Sequence, residues 1–398
     1  MGFGMVVPSA HLAGASGKMQ RLNFIDALRA AIVAFVIVHH AAMAYGPHGG
    51  YWPMRDSAQS DWFLPFYIVN SAIGLGLLFL LAGYFVPGAY DRKGAWHFLR
   101  GRGVRLGVPL GCFLLVQLPV LYLLGSRPPL LQFFQRLYDQ AWFPLYAHLW
   151  FVAHLLLYSS VYVVWRLAFD GTGKPVSSPL PSHAAIVGFV LALALVTWIV
   201  RIRYAVDVWV PFLWIMPAEP ARLPQYVALF AVGVLAFRGD WFLRMPTKIG
   251  VIWLGIGLIA SGGIYVAHMG GPLSKLMAAG GFNLSSLTSS IWETTIAAGL
   301  SVGLIVAFRE LFRGRYRLLN TMVAAIFAAY LLHPPIVIAL QAAIAAMTLP
   351  AFAKFVIVSV LGTAAAFIAG HLAGKVPGIR AVLGPTSGSG ASLVSRAR

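Results

Sequence analysis

Ten stretches of about 20 mostly apolar residues set the limits on what this chain can fold into, because a bilayer core about 30 Å thick takes about that many helical residues to cross. They run 24–45, 63–86, 104–124, 147–168, 184–200, 222–238, 249–268, 289–308, 319–341 and 353–374. Hydrocarbon offers the backbone no hydrogen-bond partner, so each stretch is predicted to be a helix and not part of an open sheet. Composition supports the same reading: charged residues make up 10%, the hydrophobic set 60%, and the mean hydropathy is +0.80. So few charges could not cover that much apolar surface in water, which excludes a soluble enzyme and a disordered chain. A single cysteine, Cys112, excludes a disulfide-built secreted scaffold. The expected fold is an all-α integral membrane protein of about ten transmembrane helices. The segment 205–217 is apolar but short and holds Asp207 and two prolines, so it is expected to be interfacial or re-entrant.

Ten spans would put both termini on one side, and the basic residues indicate which. Of the 29 Lys and Arg, 20 fall on the side of the termini and 8 on the other, with Arg29 inside the first span. That bias predicts cytoplasmic termini. It also accounts for the net charge of +18 by topology and anionic lipid instead of nucleic acid. Residues 1–21 read as a cytoplasmic tail, since Arg21 leads directly into a span too long for a signal-peptide core. Residues 22–376 read as one integral membrane domain and 377–398 as a flexible cytoplasmic tail. In a Gram-negative cell the location would be the inner membrane.

Ionisable groups inside a span are costly, so they are the first places to look for function. The first span, FIDALRAAIVAFVIVHH, holds Arg29 and His40 eleven residues apart. On a helix that is about 16 Å and three turns plus about 20°, so both share one face. Either Arg29 turns back to Asp26 and His40 is a core histidine, or the pair marks the two ends of a path. Counting depth from each span's start puts His40, His148, Glu293 and His333, with Tyr330, in roughly the same outer third. Such a layer fits a polar cavity open to the outer face; the bland alternative is a set of unrelated interface residues with Trp150 and Trp292 as belt anchors.

At the opposite face HFLRGRGVRLG supplies Arg100, Arg102 and Arg105. Arg102 and Arg105, three apart, are helix neighbours suited to holding a phosphate, and equally suited to a positive-inside anchor. Catalytic serine elbows, CxxC pairs and HExxH are absent, and adjacent His39 and His40 diverge by about 100° on a helix, so no metal site is expected.

In this order along the chain the motifs resemble the membrane acyltransferase-3 family of bacterial integral-membrane O-acyltransferases. They are Arg29 and His40 with Asp26 before them, Gly83–Tyr84 closing the second span, Arg102-x-x-Arg105, and HLWF at 148–151. FAVGVLAFRGDW at 230–241, Trp292–Glu293 and AYLLHPP at 329–335 follow. The likeness covers about Arg21 to Lys375, and the branch that it resembles includes glucan-succinylating proteins. One departure is Ala82, where the family commonly has serine before Gly-Tyr.

The resemblance implies transfer of an acyl group, acetyl or succinyl, from cytoplasmic acyl-CoA to a hydroxyl of an envelope or exported carbohydrate, with no permanently bound cofactor. It implies CoA binding by Arg102, Arg105, Gly83 and Tyr84, and catalysis by His40 as general base with Arg29 and Glu293. The acceptor would meet His333, Tyr330, His148 and Trp150. The same spans, buried charges and broken helices would also suit a transporter of a small solute or glycan.

Overall fold

The computed structural model describes residues 23–47, 52–169, 178–271, 277–314 and 317–379. The expected tails fall outside these, apart from residues 377–379, as do Lys18, Arg21, Lys174, Lys275, Arg315, Arg380, Arg396 and Arg398. The described chain is mostly helical. The first helix, α1 (Asn23–Ala42), is followed by α2 (Phe63–Arg102), a π-turn at Gly103–Gly107 and α3 (Val108–Leu124). Next come α4 (Leu130–Asp139), a four-residue α5 (Phe143–Tyr146), a 3-10 turn at Ala147–Leu149, α6 (Trp150–Phe169) and α7 (His183–Arg203). A hairpin of β1 (Val210–Phe212) and β2 (Met216–Ala218) leads to α8 (Leu223–Arg238) and the short α9 (Trp241–Arg244). The long helices α10 (Thr247–Met269), α11 (Leu284–Leu311), α12 (Arg317–Ile344) and α13 (Ala351–Ala373) complete the bundle.

Among the described residues eight helical stretches are long and apolar enough to cross a bilayer. One of them, Phe63–Leu124, runs for 62 residues and contains the predicted spans 63–86 and 104–124. At 1.5 Å per residue it would measure about 93 Å, far more than one crossing needs. It bends where Gly94 takes φ 69°, ψ 169°, a backbone that side chains other than glycine's rarely accept. The predicted span 222–238 falls on α8, whose 16 residues are fewer than a full crossing takes. The segment 205–217 holds most of the antiparallel hairpin, with Phe212 opposite Met216, and no helix.

Leu115, Leu124, Val251, Ile259, Val266 and Ile368 are exposed on the bundle's outside, the arrangement an apolar solvent requires. Inside, α2 and α8 pack backbone against backbone. A Cβ on Gly83 would stand 2.1 Å from the carbonyl oxygen of Phe230, and one on Gly233 would stand 2.1 Å from that of Leu80. Neither position can hold a side chain without driving the helices apart, so the contact depends on packing of small residues. Tyr84, next to Gly83, is buried with its ring stacked on Phe242 at 4.2 Å. The two residues expected to line the donor's arm therefore sit within this helix contact.

Candidate active site

Helix α1 joins two clusters of unlike chemistry. At its start Arg29 lies 3.7 Å from Asp26, within charge-interaction range of Arg102 and Arg105, which also act on each other. Arg105 belongs to the π-turn that follows Arg102, not to the regular helix expected there. Such wide turns recur at functional sites. A Cβ on Gly103 would meet nothing within 4 Å, so there is open space beside Arg102. The three guanidiniums repel one another, and an anion between them would relieve that repulsion.

At the other end of α1 the His40 ring meets α12. His40 Nδ1 is 3.0 Å from the carbonyl oxygen of Val36 and 3.0 Å from His333 Nε2. His333 is 0% exposed, and its Nδ1 lies 2.7 Å from the carbonyl oxygen of Tyr330. The local sequence explains that contact. Pro334 has no N–H to offer the carbonyl four residues back, so the Tyr330 carbonyl is left for a side chain. The Tyr330 hydroxyl in turn donates to the carbonyl of His148 at 2.5 Å. The His148 and His333 rings meet edge to face at 5.2 Å, and His148 Nε2 is buried without a partner. His40, His148, His333 and Tyr330, four of the residues expected in one layer, are in contact here.

Two further residues complete this end. Trp52 stacks on the His40 ring with centroids 5.0 Å apart and donates its indole N–H to Gln341 at 2.8 Å. Gln341 donates to the carbonyls of His40 and Ala41 at 3.3 and 3.1 Å. Neither was expected from the sequence. Gln341 carried a signal, as a lone amide within an apolar span; Trp52, in a polar loop, carried none.

Glu293 and Trp150 have partners of their own. Glu293 bonds Arg201 at 2.8 Å and Arg222 at 3.3 Å, and Arg222 also bonds Glu219 at 3.1 Å. All four side chains are buried. Burial pushes the Glu219 carboxyl above the usual carboxylate range, with Arg222 pulling the other way. Glu293 thus has two arginine partners from outside its own helix. Trp150 packs with Trp209, His154 and Tyr226, under the hairpin.

Residues 22–371 match a family model described as an acyltransferase domain, that of the acyltransferase-3 family. The chain is 27% identical over 239 residues to the glucans biosynthesis protein C of Salmonella typhi and to that of Salmonella typhimurium. Those matches cover 54% of this chain and 58% of each relative, so the chain spans a little over half the length of these relatives. No solved structure matches it.

Proposed function

The chain belongs to the acyltransferase-3 family, and from that premise we propose that it carries an acetyl or succinyl group from cytoplasmic acyl-CoA to a carbohydrate hydroxyl on the far side of an inner membrane. Family membership makes it a membrane acyltransferase, which sets the transporter aside. Donor, sidedness and acceptor are the further reading. It is carried by one observation: a single helix holds Arg29 in a cluster of arginines and His40 in a cluster of rings, eleven residues apart. That distance, about 16 Å, is of the length needed to keep the phosphates of CoA at one cluster and its thioester at the other. The glucan-related names of the two relatives favour a carbohydrate acceptor, and the excess of basic residues at the Arg102 end favours a cytoplasmic donor.

In this reading Arg102, Arg105 and Arg29 hold the phosphates through charge-assisted bonds. His40 Nε2 has no hydrogen-bond partner among the described residues. It removes the proton from the acceptor hydroxyl as that oxygen attacks the thioester carbonyl. The C–S bond breaks, the imidazolium returns the proton to the departing thiolate, and the products are an ester and free CoA. Trp52, Tyr330 and His148 flank the acceptor's approach.

The test is thiol release by purified protein given acetyl-CoA or succinyl-CoA with a glucan-containing envelope extract, comparing the wild type with His40→Ala. Release that depends on His40 supports the reading and identifies the donor. Equal release by both proteins overturns the role of His40; no binding of either CoA ester overturns the donor.

A further inference from the structure

The contact between His40 and His333 defines the protonation of both rings. A backbone carbonyl can only accept, so His333 Nδ1, 2.7 Å from the Tyr330 oxygen, carries a proton. A neutral imidazole has one N–H, which leaves His333 Nε2 with a lone pair. The same argument applied to the Val36 oxygen puts a proton on His40 Nδ1. The 3.0 Å contact is then His40 Nδ1–H donating to His333 Nε2, and every donor in the chain meets an acceptor. In the opposite tautomer the lone pair of His40 Nδ1 would face those of both Val36 O and His333 Nε2.

We propose that His333 is a positioning residue for acyl transfer: its Nε2 holds His40 as the Nδ1–H tautomer and so keeps His40 Nε2 as the basic atom. This rests on the reading of His40 as general base. Val36 alone is a weak director, because its carbonyl already accepts the His40 backbone N–H within α1. His333 supplies an acceptor on a second helix. When His40 Nε2 takes the hydroxyl proton, the ring becomes cationic and its Nδ1–H bond to His333 becomes charge-assisted. A carboxylate does this work in serine-protease triads. A neutral imidazole does it here without burying an uncompensated negative charge within the bundle. His333 is itself held by the Tyr330 carbonyl that Pro334 leaves free, which gives the HPP sequence a specific task.

The test uses full-length protein labelled with ¹⁵N in its histidines, held in lipid nanodiscs, with imidazole shifts assigned by a His40→Gln variant. In the wild type His40 is expected as the Nδ1–H form; finding it as Nε2–H overturns the proposal without any His333 variant having to fold. His333→Leu is expected to let His40 populate the other tautomer. It should also lower kcat for thiol release from succinyl-CoA or acetyl-CoA by on the order of 10²-fold, with KM for the thioester unchanged. His333→Gln, whose amide oxygen reaches about where Nε2 stood, should restore the tautomer and most of the turnover. Loss of turnover with the His40 tautomer unchanged overturns the positioning role. A changed tautomer with unchanged turnover shows that His333 sets the tautomer but overturns its role in acyl transfer, together with the general-base reading.

Discussion

Trp52 and Gln341 are joined by a 2.8 Å hydrogen bond across 289 residues, and through it the loop after α1 is fastened to α12 directly over His40. Gln341 also answers two carbonyls at the end of α1, where a helix has no backbone donors left for its last turn. Replacing it with leucine leaves the carbonyls of His40 and Ala41 without that donor and the Trp52 indole without an acceptor. We predict that Gln341→Leu destabilises the protein by about 1–3 kcal/mol and lowers turnover without raising KM for acyl-CoA. Thermal unfolding in detergent and steady-state thiol release measure the two effects.

Glu293 has two arginine partners, and Arg201 is only 2% exposed. Removing one member of a buried ion network leaves uncompensated charge behind, at a cost of about 3–5 kcal/mol. Glu293→Gln is therefore expected to lower folded yield and unfolding temperature sharply, and to lower turnover per folded molecule much less. The opposite pattern, with stability intact and turnover gone, would assign Glu293 to the chemistry.

Arg102 and Arg105 make the complementary case. If they hold the phosphates of CoA, replacing both with alanine should raise KM for the donor by at least 10-fold, since a hydrogen bond to a charged group contributes about 1.5–3 kcal/mol. Any effect on kcat should be much smaller. Wild-type affinity for CoA should fall as salt is added, and the double variant should lose most of that dependence. Calorimetric titration with CoA at two ionic strengths would read both; a KM left unchanged would remove these arginines from the donor site.

The helices and the α1 pair were legible because each depends on a local rule: apolar run length for the spans, and the 100° step that puts Arg29 and His40 on one face. Depth counting brought His40, His148, His333 and Tyr330 together for the same reason. It did not reveal the partners of Glu293, because depth specifies a layer in the bundle and not a position within that layer. The partners of Glu293 come from the end of α7 and the loop before α8, and such pairings depend on tertiary packing that no spacing encodes. The resemblance implies a donor-lining Gly83; the structure puts it against the α8 backbone, where an added Cβ would clash with Phe230. The hairpin at 210–218 was missed because its residues read as a short apolar run, and run length does not separate a strand from a buried turn of helix.

The buried pair of Lys354 and Asp56 offers a test of how the loop over His40 is held. Lys354, 1% exposed near the start of α13, lies 2.9 Å from both oxygens of Asp56 and 2.8 Å from the carbonyl of Ala345. Asp56 also accepts the backbone N–H of Ala58, so the pair anchors the same segment that carries Trp52. Lys354→Met leaves a buried carboxylate without its cation and should cost about 3–5 kcal/mol, while Lys354→Met with Asp56→Asn removes both charges and should recover part of that loss. If the anchor serves the site, turnover should follow the same order: lowest in Lys354→Met, partly restored in the double variant, with KM for the donor little changed in either. Unfolding temperatures and thiol release on the three proteins decide it. Stability that recovers while turnover does not would mean that the carboxylate itself, and not the anchoring of the loop, is what the site needs.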